Sequence, residues 1–274
     1  MAINIPVNTP LQGLTQEEVI MLTKGREITL KWTNTINGQK EHISAVPLEM
    51  LKKFSPKIRA FFIPQKIRNQ RATPIDTLSM GFLALEKAAF LHVLNQIFHA
   101  CSAKELKNLD LPTSSLYQML KVYAAAVALD IRPTVNQWRG LIYNYCRSHT
   151  FTVKEVAALW ECLGDDIGLV NHVVHIVSRS MRMNTLPDKN KIDDYLNRDE
   201  NKELRTKFDA VLAGMQAKAD LQKAKNKAAW EAREAKRQES WENNTQVNQR
   251  RRIDAARNGE RALTQYDLYM MGFR

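Results

Sequence analysis

Two short β-rich segments, residues 28–32 and 42–46, flank an Asn37-Gly38 pair, and an interrupted amphipathic helix follows at once. Asn-Gly is the dipeptide best able to take positive φ at both centres of a type I′ turn, so the spacing predicts a tight two-stranded hairpin. Leu48, Leu51 and Phe54 then recur at helical spacing until Pro56 interrupts them, which predicts two helical pieces over residues 48–54 and 57–62. A short β element is thus followed at once by helices, and nothing in this stretch looks catalytic.

The rest of the chain carries the period of helices. Residues 1–26 read as a leader in which Thr15 caps one turn. Residues 64–76 read as a polar connection, and residues 76–83 as a third strand. From Glu86 onward the apolar residues recur every three or four positions. Ala89, Phe90, Val93, Leu94, Ile97 and Phe98 form one stripe; Leu116, Met119, Leu120, Tyr123, Ala126 and Val127 mark a central helix. Trp138, Leu141, Ile142 and Tyr145 follow, with Pro133 suited to the first turn of their helix. Thr152 and Asp166 are placed to cap two more helices, the second carrying Leu169, Val170, Val173, Val174 and Val177. Residues 183–200 read as a polar linker. After it, Leu204, Phe208, Val211, Leu212 and Met215 hold a stripe for about three turns. Beyond Met215 the chain is mostly Ala, Lys, Glu, Arg and Gln, a composition that propagates helix without a broad apolar face. The fold class expected is α+β: a small sheet, a helical majority, and a long charged C-terminal helix.

Charge is unevenly placed. The chain carries a formal net charge of +11; residues 1–200 hold 24 Lys/Arg against 19 Asp/Glu, and residues 201–274 hold 16 against 10. Such a balance favours polyanions or acidic protein surfaces as partners. The three cysteines, Cys101, Cys146 and Cys162, form no CxxC pair and sit in apolar helical contexts, as expected of reduced thiols inside a cell, in nucleus or cytoplasm. The first residues lack the charged and apolar regions of a secretory signal, and no apolar run approaches membrane-spanning length, so no membrane partner is expected.

With these elements placed, residues 28–181 resemble the BTB/POZ fold in the divergent style of filamentous-fungal proteins. The hairpin is similar to the family's first two strands. Leu51, Ser55, Pro56, Ala60 and Phe62 follow its Leu-x-x-x-Ser-Pro-x-Phe-x-Ala-x-Phe helix pair. Ala89, Phe90, Val93, Leu94, Ile97 and Phe98 resemble its Ala-Phe-x-x-Leu-Leu-x-x-Ile-Tyr helix, residues 120–129 the leucine/alanine helix after it, and residues 138–146 a helix ending in cysteine. Pro47 stands where the family commonly has a histidine, and His99-Ala100 where it has a glycine. The resemblance implies a BTB/POZ-like domain over residues 27–182 and a non-catalytic adaptor that binds a protein partner or pairs with itself as a dimer.

Few residues suggest chemistry. No GxGxxG or GxxxxGK[ST] loop offers a phosphate cradle and no GxSxG elbow places a nucleophile, so neither catalysis nor a cofactor is expected. His172 and His175, or His92, His99 and Cys101, lack the four convergent ligands zinc requires, and Asp165-Asp166 reads as a capping turn. Three candidate sites remain. Lys52, Lys53, Lys57, Arg59, Lys66, Arg68 and Arg71 form a basic run without an acid, interleaved with Phe54, Phe61 and Phe62, which the resemblance places toward the core with the cations as a solvated helix rim; the functional reading of the run is a polyanion or acidic-partner patch. Lys236-Arg237 and Arg250-Arg251-Arg252 have the spacing of a bipartite nuclear-import signal. Trp230 and Trp241 lie in polar surroundings and are candidate partner anchors. Nucleic-acid binding through the basic run and the C-terminal arm, residues 201–274, is the alternative function.

Overall fold

A computed structural model describes residues 10–62, 76–102, 109–112, 114–132 and 134–259, together with 262, 264–270 and 272. It is α+β with a three-stranded mixed sheet, a helical majority and a long C-terminal helix. The chain divides into two compact units, Met1–Leu212 and Ala213–Arg274.

In the first unit, α1 (Gln16–Met21) opens on a capping box. Thr15 accepts from the Glu18 amide, and the Glu18 carboxylate accepts from the Thr15 amide at 2.7 Å. The expected leader is part of the core from Leu11 on, because Leu11 and Val19 are buried there. Strands β1 (Glu27–Asn34) and β2 (Lys40–Pro47) pair antiparallel, and β3 (Thr77–Leu83) runs parallel to β1, giving the order β2-β1-β3. On β1, Ile28, Leu30, Trp32 and Asn34 point inward. Trp32 packs on Phe90 with ring centroids 4.6 Å apart and donates its indole N–H to the Leu85 carbonyl.

The hairpin turn is not type I′. Only Gly38 (φ +69°) takes positive φ, since the loop spans four residues between Asn34 and Gln39. The buried Asn34 amide organises it, accepting from the Ile36 N–H at 3.0 Å, so one left-handed residue suffices. Two bulges tune the sheet. Ala45 (φ +58°) lies where β2 slips register, which lets both Ile43 and Val46 point inward. The second lies in β3.

Helices α2 (Leu48–Phe54) and α3 (Pro56–Phe61) break at Ser55, whose side chain caps α3 through the Ile58 amide. Then follow α4 (Lys87–Ser102), α5 (Leu116–Ala128), α6 (Thr134–Cys146), α7 (Val153–Leu163) and α8 (Ile167–Arg182). Helix α5 is central, packing on α4, α6 and α7 with nine of its residues buried. At the start of α8 the expected cap is in place. The Asp166 carboxylate accepts from the Leu169 amide, from Arg139 Nε and Nη2 at 2.9 and 2.6 Å, and from the buried Tyr123 hydroxyl at 3.3 Å.

Several stripes are narrower than expected. Phe61, Phe98, Val127, Leu141 and Tyr145 are exposed, because each lies at the margin of its helix's apolar arc. Residues 183–200 are not a linker. They carry α9 (Lys189–Leu196), whose Ile192, Tyr195 and Leu196 are buried against the core, with Leu186. Helix α10 (Lys202–Arg257) begins in the same unit, where Leu204 and Phe208 are also buried. The core therefore extends well beyond residue 182. In the second unit, α10 continues from Ala213 without a buried residue, and α11 (Gln265–Met270) follows.

Candidate functional site

The basic run is partly absorbed by the fold. Arg59 donates from Nε to the Lys52 carbonyl at 3.0 Å and from Nη2 to that of Lys53, closing the last turn of α2. Lys57 donates to the Ala128 carbonyl at the end of α5 at 3.2 Å. Cations at helix C-termini satisfy carbonyls that lack an intrahelical partner and oppose the helix dipole. Lys52 pairs with Glu49 at 2.8 Å and sits over the Phe62 ring, and Lys53 is half-buried. Phe54 is buried and Phe62 packs partly on the core, whereas Phe61 faces solvent. Lys66, Arg68 and Arg71 lie outside the described residues.

The outer face of the sheet presents a surface that the sequence did not single out. Up to Ser79, β3 pairs residue for residue with β1, Lys31 opposite Ser79; then Thr33 pairs with Phe82. One extra residue is accommodated beside Gly81, whose φ is +79°. Without that slip Phe82 would stand beside the inward-facing Asn34; with it, Phe82 shares the outer face with Thr33 and is 77% exposed. A bulge that re-aims one side chain is a recurrent device near binding sites. Phe82 borders an open cleft of about 480 Å³ whose lining includes Lys31, Lys40, Glu41, His42 and Ser79. The signal in the sequence was the glycine within the strand pattern of residues 77–83.

A second cleft, of about 380 Å³, opens between α4 and the start of α5, lined by Glu86, His92, Tyr117, Gln118 and Lys121 among others. Lys121 is the only charged residue of α5 and is 5% exposed. Its ammonium reaches the Ala84 carbonyl at 3.5 Å and lies 5.5 Å from the centre of the Tyr117 ring, and the Cys162 thiol donates to the same carbonyl. Two histidines are engaged by neighbouring groups, whereas His99 and His175 are exposed. His172 stacks on Tyr143 and contacts its carbonyl, and His149 pairs with the Glu155 carboxylate that also closes the cap at Thr152. Burial pushes the Cys101 thiol up to about 11 and the Cys146 thiol up to about 12. All three cysteines are free. Among the described residues no group of His, Cys, Asp or Glu is arranged to hold a metal ion, and no helix is long and apolar enough to cross a membrane.

In the second unit, Trp230 and Trp241 are 60% and 69% exposed. Lys236-Arg237 and Arg250–252 lie on the same continuous helix, about 20 Å apart along its axis at 1.5 Å per residue. No protein-family model matches the chain, and the searches of curated proteins and of solved structures found no match either.

Proposed function

We propose that the chain is a non-catalytic protein–protein interaction module of BTB/POZ type, and that the outer sheet face around Phe82 receives an extended acidic segment of a partner protein. The observation that carries this reading is the bulge at Gly81, which turns a large aromatic residue from the core face to solvent. A largely exposed phenylalanine is a natural anchor once a partner covers it. Lys31 and Lys40 flank the cleft against Glu41 alone, so charge complementarity selects an acidic segment with one apolar side chain. Two copies meeting through this face would set lysines against lysines, which disfavours self-pairing here. Further support comes from the order of elements: a hairpin, a helix pair broken at Ser55-Pro56, a third strand, then successive helices, as in the family that residues 28–181 resemble. The three free cysteines and the basic clusters of α10 are in keeping with work in the nucleus or cytoplasm.

Site-specific photocrosslinking tests this reading in cells that express the full chain. A benzophenone amino acid replaces Phe82 in one version and Met183, which is 61% exposed, in a control. The expected product is a protein joined from position 82 through an acidic stretch, absent from position 183, and lost in the Lys31→Glu/Lys40→Glu variant. Identical products from both positions would overturn the reading. A product joining two copies of this chain through position 82 would replace the acidic partner with a homodimer.

A further inference from the structure

The charges of α10 are sorted around the helix. At 3.6 residues per turn, Trp230 and Trp241 stand within roughly 20° of each other, about 16 Å apart along the axis. Within roughly 60° of Trp230 lie Lys223, Lys227, Arg233, Arg237, Arg251 and Arg252, with Glu234 as the only acid. The other acids of α10 from Ala213 to Arg257, namely Asp220, Glu231, Glu239, Glu242 and Asp254, fall on the remaining arc, where Lys218, Lys225, Lys236, Arg250 and Arg257 balance them. One face is therefore strongly cationic and carries both exposed indoles, while the back is neutral.

We propose that this face binds single-stranded nucleic acid, with bases stacking on Trp230 and Trp241 and phosphates held by the surrounding cations. The inference goes beyond the protein-binding reading and does not rest on it. An indole offers a flat ring to any base, and interleaved Lys and Arg track a phosphate backbone. The distance between the rings corresponds to about five nucleotides at ~3.4 Å each. Two other occupants suit the face less well. A membrane-surface helix needs a continuous apolar face, and between Lys223 and Arg252 the two tryptophans are the only bulky apolar groups on this one. A protein interface gathers its anchors into one dry centre, whereas these indoles are separated by three charged turns.

The test uses the full chain and a fluorescein-labelled oligouridylate of about 20 nucleotides, long enough to cover the face. Binding is expected, weakening steeply with salt. Lys223→Glu/Arg233→Glu/Arg237→Glu should weaken it more than tenfold and make the logarithmic salt slope shallower by about 2, near 0.7 for each phosphate no longer neutralised. Lys218→Glu/Lys225→Glu/Lys236→Glu changes the net charge equally and should weaken it by less than about threefold. Trp230→Ala/Trp241→Ala should cost about tenfold or more, with Trp230→Phe/Trp241→Phe recovering most of it. Circular dichroism confirms that helix content is kept in each variant. Equal losses from the two charge reversals would overturn the proposal, as would an unchanged Trp→Ala variant, absence of binding, or equal competition by poly-glutamate, which would point to an acidic protein instead.

Discussion

Replacing Asp166 with alanine should remove three supports at once, because one carboxylate serves the α8 amide, the Arg139 guanidinium and the Tyr123 hydroxyl. Loss of an N-cap costs about 1 kcal/mol. The guanidinium is 40% exposed, so solvent screening reduces its ion pair to about 0.5–1 kcal/mol despite the two-pronged geometry. Tyr123 is 1% exposed, and an unpaired hydroxyl in such a place costs about 1–3 kcal/mol. Together these sum to about 2.5–5 kcal/mol, and since neighbouring supports do not add fully the expected loss is roughly 2–4 kcal/mol. At about 2–4 °C per kcal/mol, the thermal midpoint should fall by about 4–16 °C. In the Asp166→Asn variant the amide side chain still caps a helix and still accepts one bond, so that variant should lose only about 1 kcal/mol. Urea unfolding followed by near-ultraviolet circular dichroism, which reads the buried Trp32 and Trp138, measures both. Equal losses for the two variants, or a loss under about 1 kcal/mol for alanine, would refute the idea that the carboxylate is shared.

Other outcomes follow from the same structure. Gly81→Val should cost about 1–2 kcal/mol through positive φ alone, because no atom lies within 4 Å of the added Cβ; a neutral result in the same unfolding assay would argue against the bulge. Phe208→Ala should cost about 3–5 kcal/mol, whereas Trp241→Ala should stay within about 0.5 kcal/mol, since the first is 1% and the second 69% exposed. Stability should fall as pH rises above about 9, where the unfolded thiols of Cys101 and Cys146 lose protons that the folded chain keeps to about 11 and 12. Each thiol contributes about 1.4 kcal/mol per pH unit in that window, so Cys146→Ala should flatten the decline. A pH-independent unfolding midpoint would contradict the burial of both thiols.

Local signals were legible where one residue carried one physical task. Thr15 and Asp166 each precede a helix with a side-chain acceptor, and each caps it. The valine stripe of α8 is buried as its spacing requires. What escaped depended on partners distant in sequence. Asn37-Gly38 suits a two-residue turn, but the buried Asn34 amide stabilises a four-residue loop instead. Ile192, Tyr195 and Leu196 have helical spacing, yet a segment rich in Asp, Asn and Lys reads as polar until α7 is seen to cover it. Phe82 had the period of an inward residue, and only the register slip against β1 turns it outward. For the basic run, charge was visible in the sequence, but the carbonyls of Lys52, Lys53 and Ala128 that engage Arg59 and Lys57 were not.

The central claim is that a partner protein is held on the outer sheet face at Phe82. Hydrogen–deuterium exchange of the full chain, with and without the acidic segment identified by crosslinking from position 82, tests it most directly. Slowed exchange is expected across residues 77–83 and 29–33, abolished in Phe82→Ser. Unchanged exchange there, with protection confined to residues 213–257, would contradict it.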